Sequence, residues 1–163
     1  MVIHEKVRTM RERITDEIFG AIGFKKTGVM RRIFGWLFYL PTDRFARLFA
    51  EADEAADGGG LAAACRIVID HLGVSIDATG VENLNQDGPM MILSNHPGAY
   101  DSVAIGSLVP RKDFRILAGE IPLYHALEKA GPLLIYAPHA SDTAGRMLAL
   151  RKAIDHLKQG GSL

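Results

Sequence analysis

Ile3, Val7, Met10, Ile14 and Ile18 recur at spacings of four, three, four and four. That rhythm puts them on one face and predicts an amphipathic helix over residues 3–22. Its other face mixes Glu5, Lys6, Arg8, Arg11, Glu12 and Arg13, and Gly20, Gly23 and Gly28 then loosen the chain. From Ile33 to Leu40 the residues are almost all apolar or aromatic, behind Arg31 and Arg32. Pro41-Thr42-Asp43 starts a third helix, with Phe45, Leu48, Phe49 and Ala52 as its apolar face. Asp57-Gly58-Gly59-Gly60 interrupts the pattern and divides a helical N-terminal region, residues 1–57, from residues 58–163. No strand precedes this glycine run, so it makes a weak phosphate cradle. Leu61, Cys65, Val68, Ile69 and Leu72 mark a further helix, stopped by Gly73.

Beyond Gly73 the period changes. Residues 74–79 read as a strand, Asn85-Gln86-Asp87-Gly88-Pro89 as a turn and residues 90–94 as a buried strand. A helix over 101–109, ended before Pro110, precedes a strand over 114–118. A helix over 122–130, a strand over 132–137 and a helix over 143–159 follow. Strands alternating with helices predict an α/β sandwich with a largely parallel sheet, preceded by N-terminal amphipathic helices.

Composition narrows the function classes. A chain of 163 residues with 48% apolar content suits one domain and excludes disorder. The formal net charge is zero, so nothing global points to nucleic acid. The single cysteine, Cys65, lies in an apolar helical pattern and reads as a small buried residue, compatible with a reducing compartment. No apolar run reaches 18 residues, the N-terminus lacks a signal-peptide pattern, and no internal repeat is visible. Six of the seven Phe and the one Trp fall between positions 19 and 49, and Lys25, Lys26, Arg31 and Arg32 lie there with no acid between Glu17 and Asp43. Aromatic and basic residues together suit a membrane interface, which makes Lys25–Leu40 the candidate membrane-facing segment; packing on the α/β part or on a second subunit is the alternative.

The candidate chemistry sits in Asn95-His96-Pro97-Gly98-Ala99-Tyr100-Asp101, directly after the apolar run Met90–Leu93. A histidine near neutral pH can take a proton from a hydroxyl, and a carboxylate behind it fixes the tautomer and stabilises the imidazolium. Residues five apart point away from each other on a helix, by about 140°. The two therefore meet only across a turn, which Pro97 and Gly98 favour. The simpler alternative is that Asp101 caps the following helix.

The apolar strand, Ser94-Asn95-His96 and Asp101 resemble the first motif of the glycerolipid acyltransferases, which act on glycerol 3-phosphate and 1-acylglycerol 3-phosphate. Val74–Leu84, Phe114–Ala118, Ile121-Pro122-Leu123 and Gly131–Ile135 are similar to flanking segments of that family, so the resemblance covers about residues 73–163. It implies an acyltransferase that moves an acyl chain from acyl-CoA or an acyl-carrier protein to a hydroxyl of a glycerol phosphate or lysophospholipid. His96 would be the base and Asp101 its orienting carboxylate. Asn95 would support the turn or contact the oxyanion. The donor would be a co-substrate, no cofactor would be bound, and the protein would work peripherally at the cytoplasmic face of a membrane.

Two departures accompany the likeness. Where the family carries an arginine after its next strand, this chain reads Ala137-Pro138-His139, and Arg146 is the nearest downstream arginine to meet a phosphate. The family's later Pro-Glu-Gly motif is absent, and the expectation is that the C-terminal strands are missing and that Leu163 falls as the next strand begins. Two alternatives follow. One is a degenerate, non-catalytic member that binds membrane or lipid; the other is an acyltransferase for another lipid acceptor. Asp142, with Ser141 or Thr143, reads as a helix cap, and Arg146 and Arg151 also fit a solvated helix face. No metal-ligand spacing and no Gly-x-Ser-x-Gly elbow occurs.

Overall fold

The computed structural model describes residues 3–23, 28–95, 98 and 100–163. Helix α1 spans Ile3–Ala21, α2 Val29–Leu37 and α3 Tyr39–Leu72. Helix α3 breaks at Asp57, Gly58 and Gly60, whose backbone angles are non-helical, and ends at Gly73 with φ 64°. These breaks fall on the predicted glycine loop and stop. Gly60 has a second reason to lack a side chain, since a Cβ there would lie 2.8 Å from the Lys112 carbonyl oxygen.

Helix α1 buries Val7, Met10 and Phe19 against α3. The face that α3 offers includes the expected Leu48, Phe49 and Ala52 but not Phe45. Ala46, Ala50 and Ala52 are buried while Phe45 is exposed. Small side chains let the two helices approach closely, and the aromatic ring is turned out. Lys6 also departs from its assignment to the polar face. It is buried at 2% exposure because its ammonium meets Asp53, itself at 0%, at 2.7 Å, and Glu54 as well.

Helix α4 (Asp101–Leu108) packs on α3, with Gly106 facing Cys65. Strands β1 (Ile116–Gly119) and β2 (Leu134–Ala137) pair in parallel, Ile116 opposite Leu134. Successive residues of β2 serve opposite faces, as strand geometry requires. Leu134 joins the main core, whereas Ile135 packs with Ala149 and Ala153 of helix α5 (Thr143–Lys158). The main core is continuous from Val7 and Met10 through Ala46 and Leu61 to Val109, Phe114 and Leu127.

The ladder extends beyond β1. Met90 and Ser162 form a parallel bridge. The Met90 N–H donates to Gly161 O at 3.2 Å, Leu163 N–H to Met90 O at 2.9 Å, and Ile92 N–H to Leu163 O at 2.7 Å. On its other side Ser162 O accepts from Arg115 N–H at 2.9 Å. The lateral order is therefore Met90–Ile92, Gly161–Leu163, β1, β2, with helices on both faces. The result is a helix-rich mixed α/β fold around a small parallel sheet.

Three segments differ from expectation. Residues 74–79 form no regular element and pair with no strand among the described residues. Residues 122–130 hold a short 3-10 turn, Tyr124–Ala126, in place of a longer helix. They serve as the crossover from β1 to β2, and Asp53 fixes them by accepting the N–H groups of Glu128, Lys129 and Ala130 at 3.0, 2.9 and 2.8 Å. The segment 90–94 pairs only at its start, and Leu93 is 81% exposed where a buried residue was expected.

Candidate functional site

Parallel strands place all their C-terminal ends on one edge, and in open α/β sheets ligands bind there. Four stretches of this chain reach that edge. The segment after Met90–Ile92 leads through the exposed Ser94 and Asn95 to the start of α4. Strand β1 ends at Gly119 and continues into Glu120, and β2 ends at Ala137 and continues into Pro138-His139. Helix α5 begins just after, so its first turn lies there too.

His96 is the one predicted catalytic residue that lies outside the described residues. Asp101 is described, as the first residue of α4. The N-cap position is Tyr100, whose side chain makes no capping bond. Asp101 Oδ2 accepts the Gly98 N–H at 2.7 Å. The carboxylate thus reaches back three residues to the backbone of Gly98. Of the residues between His96 and Asp101, Gly98 is a bend and Tyr100 a turn, while Pro97 and Ala99 lie outside the described residues.

The capping role belongs to Asp142. It is the N-cap of α5 and accepts the Gly145 N–H at 2.9 Å. His139 Nδ1 lies 3.1 Å from Ser141 Oγ in the loop before it. Arg146 and Arg151 are exposed on α5, with Arg146 in its first turns near the sheet edge.

A His–carboxylate pair among the described residues lies on this edge. His125 Nε2 is 3.0 Å from Glu120 Oε1, and the imidazole stacks on the Tyr136 ring at 4.8 Å between centroids. Arg13, Glu120, Pro122, His125 and His139 line one open depression. Its sequence signal is Glu-x4-His directly after a strand, the mirror of His96-x4-Asp101. The contribution of Arg13 from α1, more than a hundred residues away in sequence, carries no local signal.

Arg111 is the other residue that sequence reasoning passed over. Its guanidinium donates to Gln86 O at 2.8 Å, Gly88 O at 2.6 Å and Gly160 O at 2.7 Å, and binds Asp113. Asp113 Oδ2 in turn accepts the Ser162 N–H at 3.1 Å. The hydrogen bond and charge of Arg111 outweigh partial burial and hold the Asp113 carboxyl below its ordinary pKa. The pair fixes Met90–Ile92 and Gly161–Leu163 beside β1, and so aims the turn after residue 94.

Burial pushes the Cys65 thiol up to about 11, which removes it as a nucleophile at neutral pH. Among the described residues no cluster of three or more His, Cys, Asp or Glu side chains could hold a metal ion, and no helix is long and apolar enough to cross a membrane. Lys25 and Lys26 of the expected membrane-facing segment lie outside the described residues, as do the side chains of Arg31 and Phe34. Trp36 is 81% exposed, and Ile33, Leu37 and Leu40 are exposed around it. No family model matches this chain, and no curated protein or solved structure matches it either.

Proposed function

We propose that the protein is an O-acyltransferase of the glycerolipid type, working on the edge of the sheet where Asn95–Asp101 turns into α4. One observation supports the reading: Asp101, the first residue of α4, turns its carboxylate back to accept the Gly98 N–H at 2.7 Å. A carboxylate so placed suits the orientation of an imidazole at position 96. His96 would take the proton of an acceptor hydroxyl as its oxygen attacks the thioester carbonyl of acyl-CoA or acyl-carrier protein. The C–O ester bond forms, the C–S bond breaks, and the proton passes to the departing thiolate. Asn95, exposed beside the turn, is placed to support it or to meet the oxyanion.

An acceptor phosphate needs positive charge on the same edge. Arg146 offers it from α5, and Arg13 offers it from the open depression. Glycerol phosphate and lysophospholipid are the acceptor class that this charge supports. The exposed Trp36, Leu37 and Leu40 support work at a membrane surface, where a lysophospholipid acceptor resides; the cytoplasmic face is the one the acyl donor implies.

The test is release of CoA thiol from palmitoyl-CoA in the presence of lysophosphatidate. His96→Ala should lower turnover by about 10²–10⁴, the usual worth of a positioned base. Asp101→Asn should also lower it severely, with the folded state preserved. Turnover that survives His96→Ala refutes the assignment. A wild-type chain that binds lysophosphatidate vesicles but releases no thiol supports instead a non-catalytic lipid-binding role, which the exposed aromatic segment favours independently.

A further inference from the structure

We infer that the open depression at the C-terminal edge of the sheet binds a small zwitterion, a molecule with one singly charged oxyanion and one primary ammonium set apart by a short carbon spacer. A phosphoethanolamine head group and a free β-amino acid share that chemistry. The inference concerns binding and does not rest on the acyl-transfer reading. Where both hold, the acceptor is narrowed to a lysophospholipid whose phosphate carries an amine. Three separate parts of the chain converge on the depression, which measures about 480 Å³. Arg13 comes from α1, Glu120, Pro122 and His125 from the segment after β1, and His139 from the segment after β2. Parallel strands direct ligands to this edge.

The lining has a donor pole and an acceptor pole. Arg13 is exposed and has no hydrogen-bond or ion-pair partner among the described residues. Glu120 Oε1 meets His125 Nε2 at 3.0 Å. A carboxylate only accepts, so Nε2 carries the proton and Nδ1 of the neutral ring is left as an acceptor. The stack on Tyr136 at 4.8 Å holds that ring in place. His139 has the opposite polarity. Its Nδ1 lies 3.1 Å from Ser141 Oγ and 3.5 Å from the Ser141 backbone N–H, which can only donate. Nε2 of His139 therefore carries the proton and is a donor. Arg13 and His139 thus offer hydrogens, while Glu120 and His125 accept them.

Charge decides what fits between the poles. With neutral imidazoles the lining carries one positive charge, Arg13, and one negative, Glu120. A phosphate monoester, at about −1.5 to −2 near neutral pH, would be repelled by the Glu120 carboxylate. A simple amine would be repelled by Arg13. A zwitterion meets each charge with its opposite. The guanidinium fork takes the oxyanion, and a primary ammonium has N–H donors for both Glu120 and His125, which a trimethylated ammonium lacks. Arg13 and Glu120 form no ion pair with each other although both line the depression. The spacer follows from that separation: an α-amino acid holds its two charges on one carbon, too close to serve both poles.

The probe is glycerophosphoethanolamine, titrated at about pH 7.5, where imidazoles are ordinarily neutral, and read by the ring signals of His125 and His139 in NMR spectra. It should shift both rings saturably. Glycerol phosphate, ethanolamine and glycine should each bind about tenfold more weakly or worse. β-Alanine separates the two sources: tighter binding than the probe assigns a free amino acid, and weaker binding assigns the head group. Glu120→Gln should weaken the probe about tenfold and strengthen glycerol phosphate, and Arg13→Gln should weaken the probe and spare ethanolamine. Both side chains are exposed, so neither substitution removes core packing. Should a variant unfold, the ranking of the probes on the unsubstituted chain decides. No saturable shift with either zwitterion, glycerol phosphate or ethanolamine binding as tightly as the better zwitterion, or an unchanged ranking in folded Glu120→Gln would each overturn the inference.

Discussion

Replacing Asp53 by Ala tests what holds the crossover between the two strands. Its carboxylate serves four donors. Oδ2 accepts from Lys6 Nζ at 2.7 Å and from Glu128 N–H at 3.0 Å, while Oδ1 accepts from Lys129 and Ala130 N–H at 2.9 and 2.8 Å. Breaking a buried pair by removing one partner costs about 3–5 kcal/mol, because the other charge is left uncompensated. Here three backbone N–H groups are stranded as well, at about 1–3 kcal/mol for each one that water cannot reach. The upper part of the 3–5 kcal/mol range, about 4–5, is therefore expected, a large share of a total stability of ~5–15 kcal/mol. With a urea slope of about 2 kcal/mol/M the midpoint should fall by roughly 2 M. Lys6→Met should cost less, about 1–3 kcal/mol, because Asp53 keeps its three N–H donors. Urea unfolding followed by circular dichroism measures both. A loss below about 1 kcal/mol for Asp53→Ala, or a larger loss for Lys6→Met than for Asp53→Ala, refutes the reasoning.

The same cluster has a pH signature. Burial alone would raise the Asp53 carboxyl, but the Lys6 ammonium and the N–H groups of Ala130 and Lys129 outweigh it and hold it below its ordinary value. Burial would likewise lower Lys6, and the Asp53 and Glu54 carboxylates outweigh that and raise it. A depressed carboxyl contributes stability that is present above its unfolded pKa, about 4, and is lost as pH falls through the folded value. A raised amine contributes stability that is full below its unfolded pKa, about 10.4, and is lost as pH rises through the folded value. The contribution of the cluster to the urea midpoint should be flat from roughly pH 5 to 9 and decline on both sides, and Asp53→Ala should flatten the acid limb.

Three more perturbations follow from the packing. Gly106→Ala would set a Cβ 2.8 Å from Cys65 Sγ. It should cost about 1–3 kcal/mol, which Cys65→Ala should partly restore; additivity of the two in a double-mutant cycle refutes the contact. Arg111→Met removes the donor to Gln86, Gly88 and Gly160. Amide exchange at Ile92 and Leu163 should quicken by about tenfold, and unchanged exchange would show that the clamp does not hold the central pairing. Trp36→Ala with Phe38→Ala should lower flotation with anionic vesicles by about tenfold or more, from the apolar area removed; equal retention refutes a membrane role for this face.

Periodicity in the sequence determined the helices α1, α4 and α5, the glycine break in α3, its stop at Gly73 and the parallel pair β1 and β2. Each depends on neighbours within a few residues, through side-chain spacing or a positive φ that glycine adopts without strain. Asp142 as the cap of α5 was legible for the same reason. The tertiary structure decided what long-range partners control. Residues 74–79 have the composition of a strand but no neighbouring edge to pair with. Ala46 and Ala50 displaced Phe45 from the interface of α3 because close approach to α1 favours small side chains. Lys6 is buried because a carboxylate 47 positions away receives it at 2.7 Å. The depression lined by Arg13, His125 and His139 joins a helix to two strand ends. The sheet order places Gly161–Leu163 between Met90–Ile92 and β1, and that order arises from backbone hydrogen bonds, which carry no mark in the residue pattern of either strand.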